Sequence, residues 1–248
     1  YEISKKNIGK IPANPRDHAR LFVYNTQTDE IHFDYFYHLA KYLPSHALMV
    51  LNNTGVIPAR VIFTKDTGGK VEGLFLYNEG VEADGSFPII VNKQILVGRK
   101  LFIDKYEFDI TRHEEQRFFI KPLFDINELP SILLNYGITP TPKYLGKLDM
   151  EETDLRERYQ TIYSQENKSV AAPTASLHFT EDVFQSLDKK NIERTEITLH
   201  VGLGTFSDVS ASNVSNKKLH TEPITISREA IQKIQTAKNN LTPIIGVG

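Results

Sequence analysis

The chain of 248 residues contains no cysteine. Disulfides, thiolate metal sites and a cysteine nucleophile are therefore excluded, and a reducing cytoplasm is the natural compartment. No apolar run approaches the roughly 18 residues that cross a membrane. The N-terminal stretch lacks the basic-then-apolar pattern of a secretory signal. A basic surplus is missing as well: 29 Lys and Arg stand against 31 Asp and Glu, a net charge of −2. Proteins that grip nucleic acid chiefly through phosphates usually carry such a surplus, so composition alone argues mildly against that partner. His32, His38 and His46 are scattered and lack a three-ligand spacing with carboxylates, so no metal site is expected. What is present is ordinary for a globular protein, with 40% hydrophobic and 24% charged residues and enough length for one large domain or two small ones.

Along the chain the texture changes twice. Residues 21–24 read as a short strand, 36–42 as a short helix ending before Pro44, and 47–51 as a buried strand broken by turn chemistry at Asn52-Asn53-Thr54-Gly55. From about residue 56 to 122, short β-rich runs alternate with glycine turns such as Thr67-Gly68-Gly69, Asp84-Gly85 and Val97-Gly98. This pattern predicts a small antiparallel barrel or sandwich. A helix is expected over 127–136, with Asn127 as N-cap and Gly137 after its end, followed by a stiff Thr139-Pro140-Thr141-Pro142 connector. After about 150 the pattern becomes α/β: a helix opened by Thr180, a strand over Glu193–Leu199, a helix over 227–238 capped by Ser227, and a buried strand over 244–248. The expected fold is an α/β main domain formed by 1–60 and 150–248, with an inserted antiparallel β-barrel domain over 61–149. A domain rarely ends inside a core strand, so the C-terminus is expected to be incomplete.

Two runs concentrate chemistry: Ser169-Val-Ala-Ala-Pro-Thr-Ala-Ser-Leu-His-Phe-Thr180 and Thr198-Leu-His-Val-Gly-Leu-Gly-Thr-Phe206. Each packs small residues, a hydroxyl and a histidine beside a strand or helix end, where α/β sheets bind ligands. His178 and His200 carry the side chain best suited to acid–base work near neutral pH, and structural histidines are the competing reading. Gly202 and Gly204, with Thr205 next, make a turn that either serves the fold or lets backbone N–H groups approach a ligand. The downstream sequence does not match a dinucleotide fingerprint. Asn52, Asn53 and Thr54 supply amides and a hydroxyl for a turn or for a nucleobase or ribose. Arg60 is either a surface charge or a bidentate partner for a carboxylate or phosphate. Arg158, Tyr159, Gln160 and Tyr163 place polar and aromatic groups near the 169–180 run, where an aromatic can stack on adenine or lie against a cation, or simply be core. His220 and Glu222 form a further acid–base pair.

Both runs resemble the S-adenosylmethionine:tRNA ribosyltransferase-isomerase family of queuosine biosynthesis. So do Leu51-Asn-Asn-Thr-Gly-Val-Ile-Pro-Ala-Arg60, Thr67-Gly-Gly-Lys-Val-Glu72, Arg158-Tyr-Gln-Thr-Ile-Tyr163 and Leu219-His-Thr-Glu222, making six motifs in the family's order. The resemblance implies transfer and isomerisation of the ribosyl part of S-adenosylmethionine, consumed as cosubstrate. The acceptor would be a tRNA carrying 7-aminomethyl-7-deazaguanine in the anticodon. The products would be epoxyqueuosine-tRNA, adenine and methionine. It implies a cytoplasmic, monomeric enzyme with no metal and no membrane. His178, His200, His220 and Glu222 become the acid–base candidates, with no assignment among them. Asn52, Asn53, Thr54, Arg60, Arg158, Tyr159, Gln160, Tyr163, Pro173, Thr174, Phe179, Gly202, Gly204 and Thr205 become the substrate-binding set. The sequence departs from the family pattern at Gly55 (usually arginine), Ser176 (usually glycine) and Pro223 (usually aromatic), and the family continues past Gly248. An adenosyl- or nucleoside-binding relative without this catalysis is the alternative.

Overall fold

The computed structural model describes residues 7–9, 11–142, 145–146, 148–202, 204, 211–217 and 221–248. In chain order it forms β1 (Arg20–Asn25), β2 (Glu30–Tyr35), α1 (Leu39–Tyr42), β3 (Leu48–Asn52), β4 (Thr54–Val56) and β5 (Arg60–Lys65). Then come β6 (Lys70–Phe75), β7 (Phe87–Val91), β8 (Lys100–Ile103), β9 (Tyr106–Glu114), β10 (Arg117–Pro122), α2 (Leu129–Tyr136) and α3 (Glu152–Arg158). The last stretch holds β11 (Glu166–Ser169), α4 (Glu181–Asp188), β12 (Glu193–Leu199), α5 (Ala211–Asn216), β13 (Ile224–Thr225), α6 (Arg228–Asn239) and β14 (Ile244–Gly246).

Strands β5 to β10 close into an antiparallel barrel in the order β10-β7-β6-β5-β8-β9. Its interior follows from period-two alternation: Val61 and Phe63, Val71 and Phe75, Leu101 and Ile103, Phe108 and Ile110 all point inward and are buried. The rings of Phe63, Phe75 and Phe108 meet at centroid separations of 5.7–5.9 Å. Gly73 makes room for them, because a Cβ there would lie 2.6 Å from a Phe63 ring carbon. Helix α2 closes one side with Leu129, Ile132 and Leu133. The chain leaves it at Gly137 so close to the backbone that a Cβ would fall 1.9 Å from the Pro58 carbonyl oxygen. The cap of the preceding turn is Asp125, not the expected Asn127: its carboxylate accepts from Asn127 N at 3.0 Å. Two residues ahead of the asparagine, the aspartate stands just before the turn Ile126–Glu128 that leads into α2, where its carboxylate satisfies a free N–H.

A second layer is a four-stranded sheet in the order β13-β12-β3-β14, with β12 and β14 both parallel to β3. Central β3 is buried on both faces. Met49 and Leu51 pack with Val183, Phe184 and Leu187 of α4 and with Phe36 and Phe179. Helix α4 begins where Thr180 Oγ1 accepts from Val183 N at 3.3 Å, and Ser227 caps α6 in the same way through Ala230 N at 3.1 Å. Two expectations are revised. Strand β14 is not buried: it lies at the sheet edge with Ile244 40% exposed, because β3 is its sole partner among the described residues. The expected turn at residues 52–55 is instead a kink, after which β4 continues and pairs in parallel with β11. Together the described elements form an α/β protein containing a closed β-barrel.

Candidate active site

The candidate site starts where β3 and β12 stop pairing. Ile197 stands opposite Asn52, and Asn53 N–H still donates to Ile197 O at 3.0 Å. Past that rung the β3 backbone turns aside, and the Asn52 side chain continues the ladder. Its Nδ2 donates to Leu199 O at 3.0 Å, and its Oδ1 accepts from Leu199 N at 3.0 Å and Thr54 N at 3.2 Å. Asn53 does similar work: its Oδ1 accepts from Thr198 Oγ1 at 2.7 Å and its Nδ2 donates to Glu196 Oε2 at 3.1 Å. Buried amides must be satisfied, and these two are satisfied by strand ends.

Three side chains then meet at the start of β4. Thr54 Oγ1 lies 2.7 Å from Ser169 Oγ and 2.9 Å from His200 Nδ1. Ser169 Oγ also accepts from Val201 N at 2.9 Å, and Val170 N donates to Val201 O at 3.1 Å. The two histidine-bearing runs are thereby stitched together through β4. One residue on, Gly202 N donates to Glu222 Oε1 at 2.9 Å. A Cβ on Gly202 would stand 2.5 Å from Asn78 Nδ2, so any larger residue there would have to displace the buried Asn78 amide. The groups sit at the C-terminal ends of parallel strands, the edge where α/β sheets receive ligands.

A second group lines a cavity of about 510 Å³ that includes Arg16, Asp154, Arg158, Tyr159, His178 and Thr180. That volume is within the range of small-molecule sites. The Arg16 guanidinium donates from Nη1 to Gln160 O at 2.8 Å and from Nη2 to Glu157 O at 3.4 Å. His178 is half-buried, with its ring 5.4 Å from that of Phe36. Burial pushes its pKa below the ordinary histidine value; a hydrogen bond to the Arg16 backbone partly opposes this, and the Arg16 charge adds to the lowering. A neutral imidazole beside a cavity is a competent proton acceptor. Gln160 joins the two groups. Its backbone carbonyl holds Arg16, while its side chain clamps Val56 of β4 by Val56 N→Oε1 at 2.9 Å and Nε2→Val56 O at 2.6 Å.

Other candidates lie apart. Arg60 is at the start of a barrel strand, donating from Nη2 to Thr141 O at 3.1 Å and facing Glu72 at 3.6 Å. Phe179 is core, packed on Phe36 and Phe184. Tyr163 points into the same core, and its hydroxyl has no hydrogen bond of good geometry. Burial raises its pKa to about 12, while the Ser176 hydroxyl lowers it and the Glu196 charge raises it. Pro173 is buried, and Thr174 and Gly204 are exposed. His220 and Thr205 lie outside the described residues. Sequence reasoning did not single out Ser169, Arg16, Asp17 or Asn78. Buried Asp17 accepts from Thr180 Oγ1 at 2.9 Å, which ties the 15–17 turn to the start of α4. Among the described residues no group of three histidine, aspartate or glutamate side chains is placed to hold a metal ion.

An α/β protein with a closed barrel, one histidine at the end of β12 and another beside a cavity at the start of α4 defines a class of ligand-binding site. Comparison with known proteins makes it specific. The profile of the queuosine biosynthesis protein family matches residues 1–248, and the chain belongs to that family. It is 35% identical over 258 residues to the S-adenosylmethionine:tRNA ribosyltransferase-isomerase of Thermosipho melanesiensis, covering 100% of this chain and 72% of that protein. It is 38% identical over 251 residues to the enzyme of the same name from Aquifex aeolicus, covering 100% of this chain and 73% of the relative. A crystal structure of S-adenosylmethionine tRNA ribosyltransferase from Thermotoga maritima is 23% identical, with 99% of this chain and 67% of that one aligned at a TM-score of 0.42.

Proposed function

We propose that this chain is an S-adenosylmethionine-dependent tRNA ribosyltransferase-isomerase. In this reading it moves the ribosyl part of S-adenosylmethionine onto 7-aminomethyl-7-deazaguanine in a tRNA anticodon and rearranges it to epoxyqueuosine, releasing adenine and methionine. The observation that carries it is the family match over the whole chain, which includes both histidine runs. The chemistry asks for a base to take a proton next to the sulfonium, a donor to adenine as it leaves, and polar contacts that orient the cosubstrate. His178 beside the 510 Å³ cavity supplies a neutral proton acceptor. Tyr159 offers an aromatic face, and Asp154 a carboxylate for a cation. We read His200, Gly202 and Glu222, joined to the site through Thr54, β4 and Gln160, as its further polar groups. We read Asn52, Asn53 and Gln160 as the frame of this site and Arg158 and Tyr159 as its contact surface. We further read 61–149 as a barrel domain inserted into an α/β domain of 1–60 and 150–248, acting as a cytoplasmic monomer.

The test is incubation of the chain with unmodified substrate tRNA and S-adenosylmethionine labelled in the ribose. Label in tRNA nucleosides together with free adenine supports the reading. Cosubstrate binding without adenine release, seen as a raised melting temperature alone, selects the adenosyl-binding alternative.

A further inference from the structure

The Thr54–Ser169–His200 cluster carries more than proximity, because its hydrogens can be counted. Ser169 Oγ owns one hydrogen and accepts at its lone pairs; Thr54 Oγ1 is the same. Both side chains are fully buried and His200 nearly so, so solvent does not complete their bonding. One lone pair of Ser169 Oγ is filled by Val201 N–H at 2.9 Å. Among the described residues, the Ser169 hydroxyl hydrogen then has one acceptor in reach, Thr54 Oγ1 at 2.7 Å. With Ser169 donating to Thr54, the Thr54 hydrogen goes on to its remaining partner, His200 Nδ1 at 2.9 Å. The chain of donors runs Val201 N–H to Ser169 and, separately, Ser169 to Thr54 to His200. Nδ1 is an acceptor in it.

The opposite polarity is worse. If Nδ1 carried the proton it would donate to Thr54, and Thr54 to Ser169. Ser169 would then receive two hydrogens and have nowhere to place its own. A buried donor without an acceptor is the costly case, and the first polarity leaves none along Ser169, Thr54 and Nδ1. The bond made by one ring nitrogen sets the tautomer of the other.

We propose that Ser169 and Thr54 are positioning residues that fix His200 as the neutral tautomer with its proton on Nε2, so that His200 serves the reaction as a hydrogen-bond donor and not as its base. The role in the reaction rests on the proposed ribosyl transfer; the tautomer does not. A neutral imidazole held as a donor is an established way for a histidine to stabilise developing negative charge. It also separates the two histidines of the site. His200 is committed to donation by a buried network, which leaves proton acceptance to His178 or to a carboxylate. Thr54 and Ser169 touch no ligand in this account. They act through His200, as outer partners act through a metal-bound histidine.

The tautomer is read from long-range nitrogen–proton correlation spectra of the nitrogen-labelled chain at neutral pH, with His200→Gln identifying the His200 resonances. The expected pattern is an unprotonated Nδ1 and a protonated Nε2. Thr54→Ser keeps that pattern, whereas Thr54→Val, which removes the donor to Nδ1, gives a mixture of tautomers. If Thr54→Val does not fold, Thr54→Ala replaces it: it removes the same donor to Nδ1, and a mixture is again expected. A dominant protonated Nδ1 in the unchanged chain overturns the proposal, as does a pattern that neither variant alters. The reaction role is read from adenine release. Thr54→Val should lower kcat by about tenfold or more with KM within about twofold, and Thr54→Ser should recover most of it. An intact tautomer pattern with adenine release indifferent to His200→Gln overturns the donor role. Absence of adenine release from the unchanged chain counts against ribosyl transfer itself and leaves the spectroscopic result standing.

Discussion

Replacing Asn52 with alanine separates a residue that builds the site from one that touches substrate. Its side chain makes three hydrogen bonds, two with Leu199 and one with Thr54 N, and it is 5% exposed. Alanine removes all three and leaves two N–H groups and one carbonyl buried without partners. At roughly 1 kcal/mol net for each bond, the loss is about 3 kcal/mol, with a larger figure if the orphaned groups stay dry. For a chain of this size that is a fall of about 6–12 °C in melting temperature. Urea denaturation gives the free-energy change and calorimetry the temperature, both on the free protein. Asn52→Asp keeps the two bonds accepted by Oδ1 and turns the donor to Leu199 O into an acceptor, so it should not rescue. A change below about 0.5 kcal/mol for Asn52→Ala, together with a lost cosubstrate-induced shift, would refute the frame assignment and restore Asn52 as a direct contact.

Other expectations follow from single contacts. Gly137→Ala places a methyl carbon 1.9 Å from Pro58 O and 2.4 Å from Leu133 O. Both atoms belong to backbone, so urea denaturation should show destabilisation at or above the roughly 1–3 kcal/mol of ordinary overpacking. Tyr163→Phe removes a buried hydroxyl that has no hydrogen bond of good geometry, and its melting temperature should match or exceed that of the unchanged chain. His178 has its pKa lowered chiefly by burial. The unfolded chain therefore takes up the proton first, and stability falls once the pH drops below the ordinary histidine value. If His178 is the base, the acid limb of adenine release lies below that value too, and a limb above it would exclude His178.

Much of the fold is legible in the sequence because it rests on local signals. The barrel announces itself through inward Val61, Phe63, Val71 and Phe75, with a glycine turn at Gly68, whose φ of +83° favours glycine. Helices α4 and α6 are marked by Thr180 and Ser227 at their caps. Strand β11 is not legible: Glu-Asn-Lys-Ser has no apolar alternation, and β4 alone makes it a strand. Helix α3 buries only Leu155. It is braced by Arg156, which pairs with Glu152 at 2.8 Å and donates to Leu134 O and Gly137 O at 2.7 Å each. Hairpin partner β2 is exposed at most positions, so burial gives it no pattern to read. The residue types of the candidate site were visible, but their pairing was not. Thr54 meets Ser169 and His200 across 115 and 146 positions of sequence, and no spacing rule reaches that far.

The Asn52-Asn53-Thr54 run shows why a polar strand end is hard to read. Turn propensity and ligand binding both explain asparagines after a buried strand. A third use operates here. Where β3 departs from β12, backbone groups of Leu199 and Thr54 would be left unpaired inside the protein, and the Asn52 amide, with one donor group and one acceptor, fits both edges of that gap. Gln160 repeats the device on the far side of β4, pairing both the N–H and the carbonyl of Val56. Strand β4 is thus flanked by β11 on one side and by one glutamine side chain on the other. His200 hangs from Thr54 of this short strand, and Arg16, which lines the cavity beside His178, hangs from the backbone of the same glutamine. The amides that the family resemblance places in the substrate-binding set therefore brace the segments that carry His200 and Arg16 on strand-like scaffolding instead of loose loop, and rigid elements hold a site to small tolerances.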